Sequence, residues 1–154
     1  MADTQVVIFI LNNELCSVEA SMVFKIEKYS EVSTIPQMPD YIKGLYNLRG
    51  RVVPVLDLNK RFSMGDSEIT KKTKIIITEK DGQLFGFMVN NVLEIINLKD
   101  DSIDKSDAII KVNNKKYIKG VGKKDDKLFS IIDLNEVLRE TEVQEVIEVI
   151  ANKD

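Results

Sequence analysis

Two carboxylates set in the same tripeptide, Asp57-Leu58-Asn59 and Asp133-Leu134-Asn135, are the residues whose type and pairing first invite acid–base chemistry. Brought into one pocket, they would suit an Asp- or Lys-based hydrolase. The plainer reading is that each aspartate caps a short helix by accepting from the backbone N–H groups at its start, and a tripeptide used twice favours the cap. Histidine is absent from the 154 residues, which removes histidine-based triads, histidine metal sites and a histidine phosphoacceptor. The single cysteine, Cys16, cannot form an intramolecular disulfide and leaves no ligand set for a structural zinc. No metal or cofactor is expected.

The cationic candidates lie in Asn47–Leu58, NLRGRVVPVLDL, where Arg49 and Arg51 flank a glycine ahead of a valine-rich run. A catalytic role, a nucleic-acid contact and a protein-recognition contact are all open to such arginines. A net charge of −3 and a pI near 5.2 disfavour nucleic acid, which needs a basic field and, for single-stranded RNA, aromatic platforms. The opening MADTQ has no basic region leading into an apolar stretch, so a cytoplasmic chain is expected. The apolar run Val6–Leu11 is far shorter than the roughly 20 residues that cross a bilayer.

The elements that must position these residues form an internal repeat. Tyr41–Phe62, YIKGLYNLRGRVVPVLDLNKRF, aligns without a gap on Tyr117–Leu138, YIKGVGKKDDKLFSIIDLNEVL, at an offset of 76. Val6–Ile26 aligns on Ile75–Ile95 at an offset of 69, so the second half has gained seven residues between its blocks. Each unit reads as strand, turn, strand, loop, YIKG, strand, DLN and short helix. Asn12-Asn13 and Asp81-Gly82 are hairpin turn pairs, and Pro54 restricts its strand to an edge, a strand end or a bulge. Asp133 with Glu136 reads as a capping-box helix start. Val143, Val146, Ile147 and Ile150 predict a closing helix within 139–154. The expected fold is mainly β: two small five-stranded barrel subdomains, about 6–62 and 75–138, with short helices and exchange of strands between them left open. Closure protects the edges of sheets this small. The linker Ser63–Lys74 is polar and aperiodic.

What the halves share is mainly structural, so their differences are where function is sought. Gly44 and Gly120, each in YIKG, are expected to serve backbone turns. Where the first half has Tyr46-Asn47-Leu48-Arg49-Gly50-Arg51, the second has Gly122-Lys123-Lys124-Asp125-Asp126-Lys127, a charged hairpin loop. Arg49 on a rigid turn suits recognition by a planar, always-charged fork; an internal ion pair that pins the turn is the alternative. Arg51, matched by Lys127, reads as surface. Val23 and Ile26, with their repeat mates Val92 and Ile95, read as core or as walls of a groove between barrels that would receive a helix.

YIKGLYNLRGRVVPVLDL, above all NLRG ahead of V-P-V-x-D-L, closely resembles the motif of the CheW-like family of bacterial chemotaxis coupling proteins, and the likeness runs on through YIKGVG to DLNEVL. The resemblance implies two five-stranded barrels around a shared core and no catalysis. It implies an adaptor that joins the histidine kinase CheA, through its regulatory domain, to the helical-hairpin tips of chemoreceptors, cytoplasmic and recruited to membrane-associated receptor arrays. The same domain occurs within the kinase and in adaptor–receiver fusions; this length, without histidine, leads us to expect the stand-alone form. Leu48, Arg49 and Gly50 would face the receptor, with Val23, Val92 and Ile95 in or near the inter-barrel groove. Kinase contacts would fall toward the first barrel, at Lys25 and Gly44. Family members are often acidic where Lys25 stands, and here the chain departs from the pattern.

Overall fold

Tight turns between β-branched runs dictate the local structure, and a computed structural model describes residues 3–105 and 117–139. In chain order, β1 (Thr4–Leu11) and β2 (Glu14–Glu19) form a hairpin across Asn12-Asn13. A 3-10 turn at Ala20–Met22 leads into β3 (Lys25–Lys28). β4 (Ile42–Leu48) and β5 (Arg51–Asp57) form the next hairpin, followed by α1 (Leu58–Arg61). β6 (Lys74–Lys80) and β7 (Gln83–Val89) pair across Asp81-Gly82, and β8 (Asn91–Leu98) follows. The short β9 (Ile103–Asp104), the hairpin of β10 (Ile118–Lys124) and β11 (Lys127–Ile132), and α2 (Leu134–Arg139) complete the described elements. The helix expected within 139–154, with Val143, Val146, Ile147 and Ile150, lies outside the described residues.

The strands form two sheets, in the orders β8-β1-β2-β11-β10-β9 and β3-β6-β7-β5-β4. The mainly β, two-subdomain architecture agrees with the expectation, with the two-residue β9 as a sixth strand in one sheet. Each sheet takes one hairpin from each half of the sequence. The joints are parallel, β2 to β11 at Cys16↔Ser130 and Ser17↔Ile131, and β5 to β7 from Val55↔Gly86 to Asp57↔Met88. The first joint is reinforced by Ser17 Oγ, which donates to the Ser130 carbonyl at 3.0 Å.

Apolar alternation then fills three clusters. One lies within the sheet that holds β5, around Val53, Val55, Ile75, Ile77 and Met88; its counterpart lies around Val6, Ile8, Ile96, Phe129 and Ile131. The third and largest is shared, with Val7, Phe9, Cys16 and Val18 from one sheet meeting Leu56, Ile76, Phe85 and Phe87 from the other. Phe62, just after α1, stacks on Tyr117 of the opposite half at 4.5 Å between ring centroids. A buried polar chain links the linker to this core. Ser67 Oγ donates to Asp57 Oδ1 at 2.8 Å, while Asn59 Nδ2 donates to Ser67 Oγ at 2.7 Å and to Asn90 Oδ1 at 2.8 Å.

One local expectation is corrected and another narrowed. Gly44 and Gly120 do not sit in turns. Both lie in strands, where the register shifts between Ile42 and Gly44 and between Ile118 and Gly120. A Cβ on Gly44 would strike the Ser33 carbonyl, and one on Gly120 would come within 2.7 Å of the Asp104 carbonyl. These are the places where each curled sheet closes, through the bridge Ser33↔Leu45 in one and Asp104↔Val121 in the other. The glycine of YIKG therefore admits the crossing strand. Of the edge, strand end or bulge open to Pro54, the edge is excluded because β5 lies between β7 and β4, while the register shift of the β4–β5 pair falls beside it, opposite Val55 and Leu56. Leu45 spends its N–H and C=O on Ser33, at 2.7 and 2.8 Å, so the opposed Pro54 faces away from β4. Pairing with β7 begins only at Val55, and the missing N–H leaves no partner unsatisfied.

Candidate functional site

At the tip of the β4–β5 hairpin, Arg49 and Gly50 take φ values of +51° and +89°, the two left-handed residues of a tight primed hairpin turn. Asparagine, aspartate and glycine suit that geometry; for arginine it costs roughly 1–2 kcal/mol. Asn47 Oδ1 accepts from the Gly50 N–H at 2.8 Å, across the base of the turn. Leu48 is buried in the cluster of its own sheet and anchors the tip from inside, while Arg49 and Gly50 are exposed. Arg51 is exposed, in line with its surface reading, and makes two long contacts there. Its Nη2 donates to the Gly82 carbonyl at 3.4 Å and lies 3.8 Å from Glu79 Oε2, bracing this hairpin against the β6–β7 turn. Arg49 has no such brace: among the described residues no hydrogen bond or ion pair engages its guanidinium. The internal ion pair that was the alternative reading of Arg49 is thus not formed among them.

The apolar candidates lie elsewhere, along the rim of the shared cluster. Val23 and Val92 are half-buried against it. Ile95 pairs with the buried Val7 across β1 and β8, so both point to the shared-cluster side, yet Ile95 stands 54% exposed. Val23 also lines a depression of about 310 Å3 with Ser21, Met22, Phe24, Glu79 and Asn135; Val92 and Ile95 do not line it. The candidates thus form two groups on different elements: the Leu48–Gly50 tip, and the rim residues Val23, Val92 and Ile95. Lys25, on β3, is half-exposed with its Nζ 3.8 Å from Glu27 Oε1. Gly44 is buried beneath Val32 and Ser33, so what it contributes is the closure of its sheet.

The two carboxylates that invited catalysis are caps. Asp57, only 3% exposed, accepts from Lys60 N at 3.3 Å and from Ser67 Oγ. Asp133 accepts from Asn135 N at 3.0 Å and Glu136 N at 3.4 Å. The backbone N–H of each aspartate donates to the carbonyl of the YIKG tyrosine of its own half, Tyr41 or Tyr117, at 2.7 Å in both cases. The same main-chain bond thus ties YIKG to DLN in both halves. Cys16 is buried in the shared cluster, and burial, aided by Glu14, pushes its thiol up to about 12.

The family model described as "CheW-like domain" matches residues 5–142. The chain belongs to the CheW-like family. It is 31% identical to the chemotaxis protein CheW of Bacillus subtilis over 134 residues, which cover 87% of this chain and 86% of that one. To the chemotaxis protein CheW of Thermotoga maritima it is 25% identical over 145 residues, 94% of each chain. The crystal structure of the scaffolding protein TtCheW from Thermoanaerobacter tengcongensis superposes with a TM-score of 0.79 at 34% identity, covering 90% of this chain and 88% of that one. No helix among the described residues is long and apolar enough to cross a membrane.

Against this CheW-like fold, sequence reasoning passed over Phe24 and Leu93. They occupy equivalent positions in the two halves and stand 52% and 47% exposed beside Val23 and Val92. Leu93 helps to line a hollow of about 110 Å3 with Ile8, Leu15, Ile96 and Phe129. The signal available for them is the apolar match at offset 69.

Proposed function

We propose that this protein is a non-catalytic adaptor that joins the histidine kinase CheA to the cytoplasmic tips of chemoreceptors. Arg49 and Gly50, anchored from inside by the buried Leu48, and the rim residues Val23, Val92 and Ile95 face the receptor; the first-barrel surface around Lys25 faces the kinase, with Gly44 holding that surface in shape. In the cell, such an adaptor is cytoplasmic and recruited to receptor arrays. The observation that carries the reading is Arg49: an exposed arginine, held in a backbone conformation it does not favour, whose fork is left unpaired among the described residues. A planar guanidinium offered on a rigid turn suits carboxylates and carbonyls of a partner helix. Ile95, exposed on the same side of β8 as Val92, adds apolar area of the kind an amphipathic helix covers. Asp57 and Asp133, spent as caps, leave the repeated carboxylates no part in acid–base work.

Coupling of this kind needs no bond-making. Contacts on two faces of one rigid body let the receptor state bias the kinase between its active and inactive arrangements, and tethering in an array makes several modest contacts act together. Arg49→Ala should weaken binding of a receptor cytoplasmic-tip fragment by about 10- to 30-fold, in the range of an interfacial arginine hot spot. Thermal stability and binding to the CheA regulatory domain should be unchanged. Titration of both fragments against wild type and variant makes the check; undiminished receptor binding, or an unfolded variant, would overturn the role given to Arg49.

A further inference from the structure

Building on Arg49 as a receptor contact, we infer that Asn47 is a positioning residue: its side-chain oxygen holds the turn in the conformation that presents the guanidinium. The two hairpin tips show why one is needed. In the β10–β11 turn, Asp125 and Asp126 adopt φ values of +51° and +64°, and aspartate is among the residues that visit this region readily. The position equivalent to Asn47 there is Lys123, which has no acceptor to offer the turn. In the β4–β5 turn the first left-handed position is filled by an arginine, which the conformation disfavours, and the Asn47 Oδ1 bond to Gly50 N–H at 2.8 Å closes the loop around it. Gly50 supplies the freedom for the second position, since a Cβ built there would meet nothing within 4 Å and only its φ of +89° restricts it. Arg51 and Gln83 fix the base of the hairpin, through Gly82 O at 3.4 Å and Val52 O at 3.5 Å, but neither reaches the turn residues. Among the described residues, Asn47 is the side chain that does.

The test is a double-mutant cycle between Asn47 and Arg49, read by titrating the full chain with a receptor cytoplasmic-tip fragment and by amide exchange at Gly50. Asn47→Ala should weaken the fragment by about threefold to tenfold, the range of one hydrogen bond's net worth, and should speed Gly50 exchange. Asn47→Asp, which keeps the acceptor, should restore both to within about twofold. In an Arg49→Ala background, Asn47→Ala should leave fragment affinity unchanged, because its effect runs through Arg49. Faster Gly50 exchange with unaltered affinity in Asn47→Ala would overturn the inference and spare the docking role of Arg49. Additive losses in the double variant would overturn it in favour of a direct Asn47 contact. Wild-type affinity in Arg49→Ala alone would overturn the docking role and this inference together.

Discussion

The β4–β5 and β10–β11 hairpins are the same device built twice and finished differently. Both close in a two-residue turn with two left-handed residues, and both belong to strands that a YIKG glycine lets a neighbour cross. At the tip, Arg49-Gly50 stands against Asp125-Asp126. Beneath it, the directly opposed pair is Tyr46 and Val53 in one hairpin and Gly122 and Phe129 in the other. The aromatic ring has changed strands. A side chain on Gly122 would collide with Phe129, so the glycine is the space into which that ring folds. Interior volume is kept by compensation across the strand pair, whereas the tip carries no such constraint and is free to take a residue for a partner's sake. An arginine kept where an aspartate would fold more easily is what the proposed receptor contact would account for.

The hardest test of this equivalence is at the closures. Gly44→Ala should destabilise by about 3 kcal/mol or more, because the new methyl meets a backbone carbonyl that cannot yield and the φ of +152° suits glycine. Gly120→Ala should cost less, about 1–2 kcal/mol, since its backbone lies outside the positive-φ set and only the 2.7 Å approach to Asp104 opposes it. Urea unfolding of the two variants gives the comparison. Equal losses would mean that the closures are mechanically alike and that the asymmetry is confined to the tips.

Much of this was legible in the repeat. Self-similarity gave the mainly β character, the caps at Asp57 and Asp133, and the one turn where the halves part company, because each rests on local rules that act within a few residues. What the sequence hid is non-local. Nothing in Gly44 says that Ser33 will cross above it, and the choice among edge, strand end and bulge for Pro54 stays open until one sees that Leu45 bonds outward to Ser33. The contacts of the exposed Arg51 were hidden because Gly82 and Glu79 come from the other half of the chain. Phe24 and Leu93 went unnoticed because an apolar match does not reveal which face of the strand is left uncovered.

The shared cluster carries a second asymmetry, with a pH signature. Cys16 occupies the position that Phe85 fills in the other half, and both are buried in the shared cluster. With its thiol raised from 9.0 to about 12, the folded protein keeps a proton that the unfolded chain releases near pH 9.0. The contribution of this group to stability is therefore complete below pH 9.0 and is lost as the pH rises through the window to about 12. By about pH 10.5 the loss amounts to about 2 kcal/mol at 1.36 kcal/mol per unit. Cys16→Ala should remove that part of the alkaline slope relative to wild type, measured by denaturant midpoints from pH 8 to about pH 10.5. Identical slopes would show that the thiol titrates freely and that this site is less enclosed than that of Phe85.

The smallest effect on stability separates folding from function most sharply. Arg49→Asp turns the first tip into Asp-Gly, the pair already present at Asp81-Gly82 and among the best for a primed turn. It should raise stability by ~0.5 kcal/mol, a gain at the margin of what a surface change gives, while reversing the charge offered to a receptor and abolishing its binding. Asp125→Arg, the converse change, should cost a similar amount and create no binding, because the second tip lacks an Asn47 to close the turn. The two variants are read by urea midpoint at constant slope and by receptor-fragment titration. A stabilised protein that no longer binds is the signature of a residue held against folding preference for a partner. Should Arg49→Asp destabilise instead, the arginine would be supporting its own fold, and the difference between the two tips would be one of structure rather than of use.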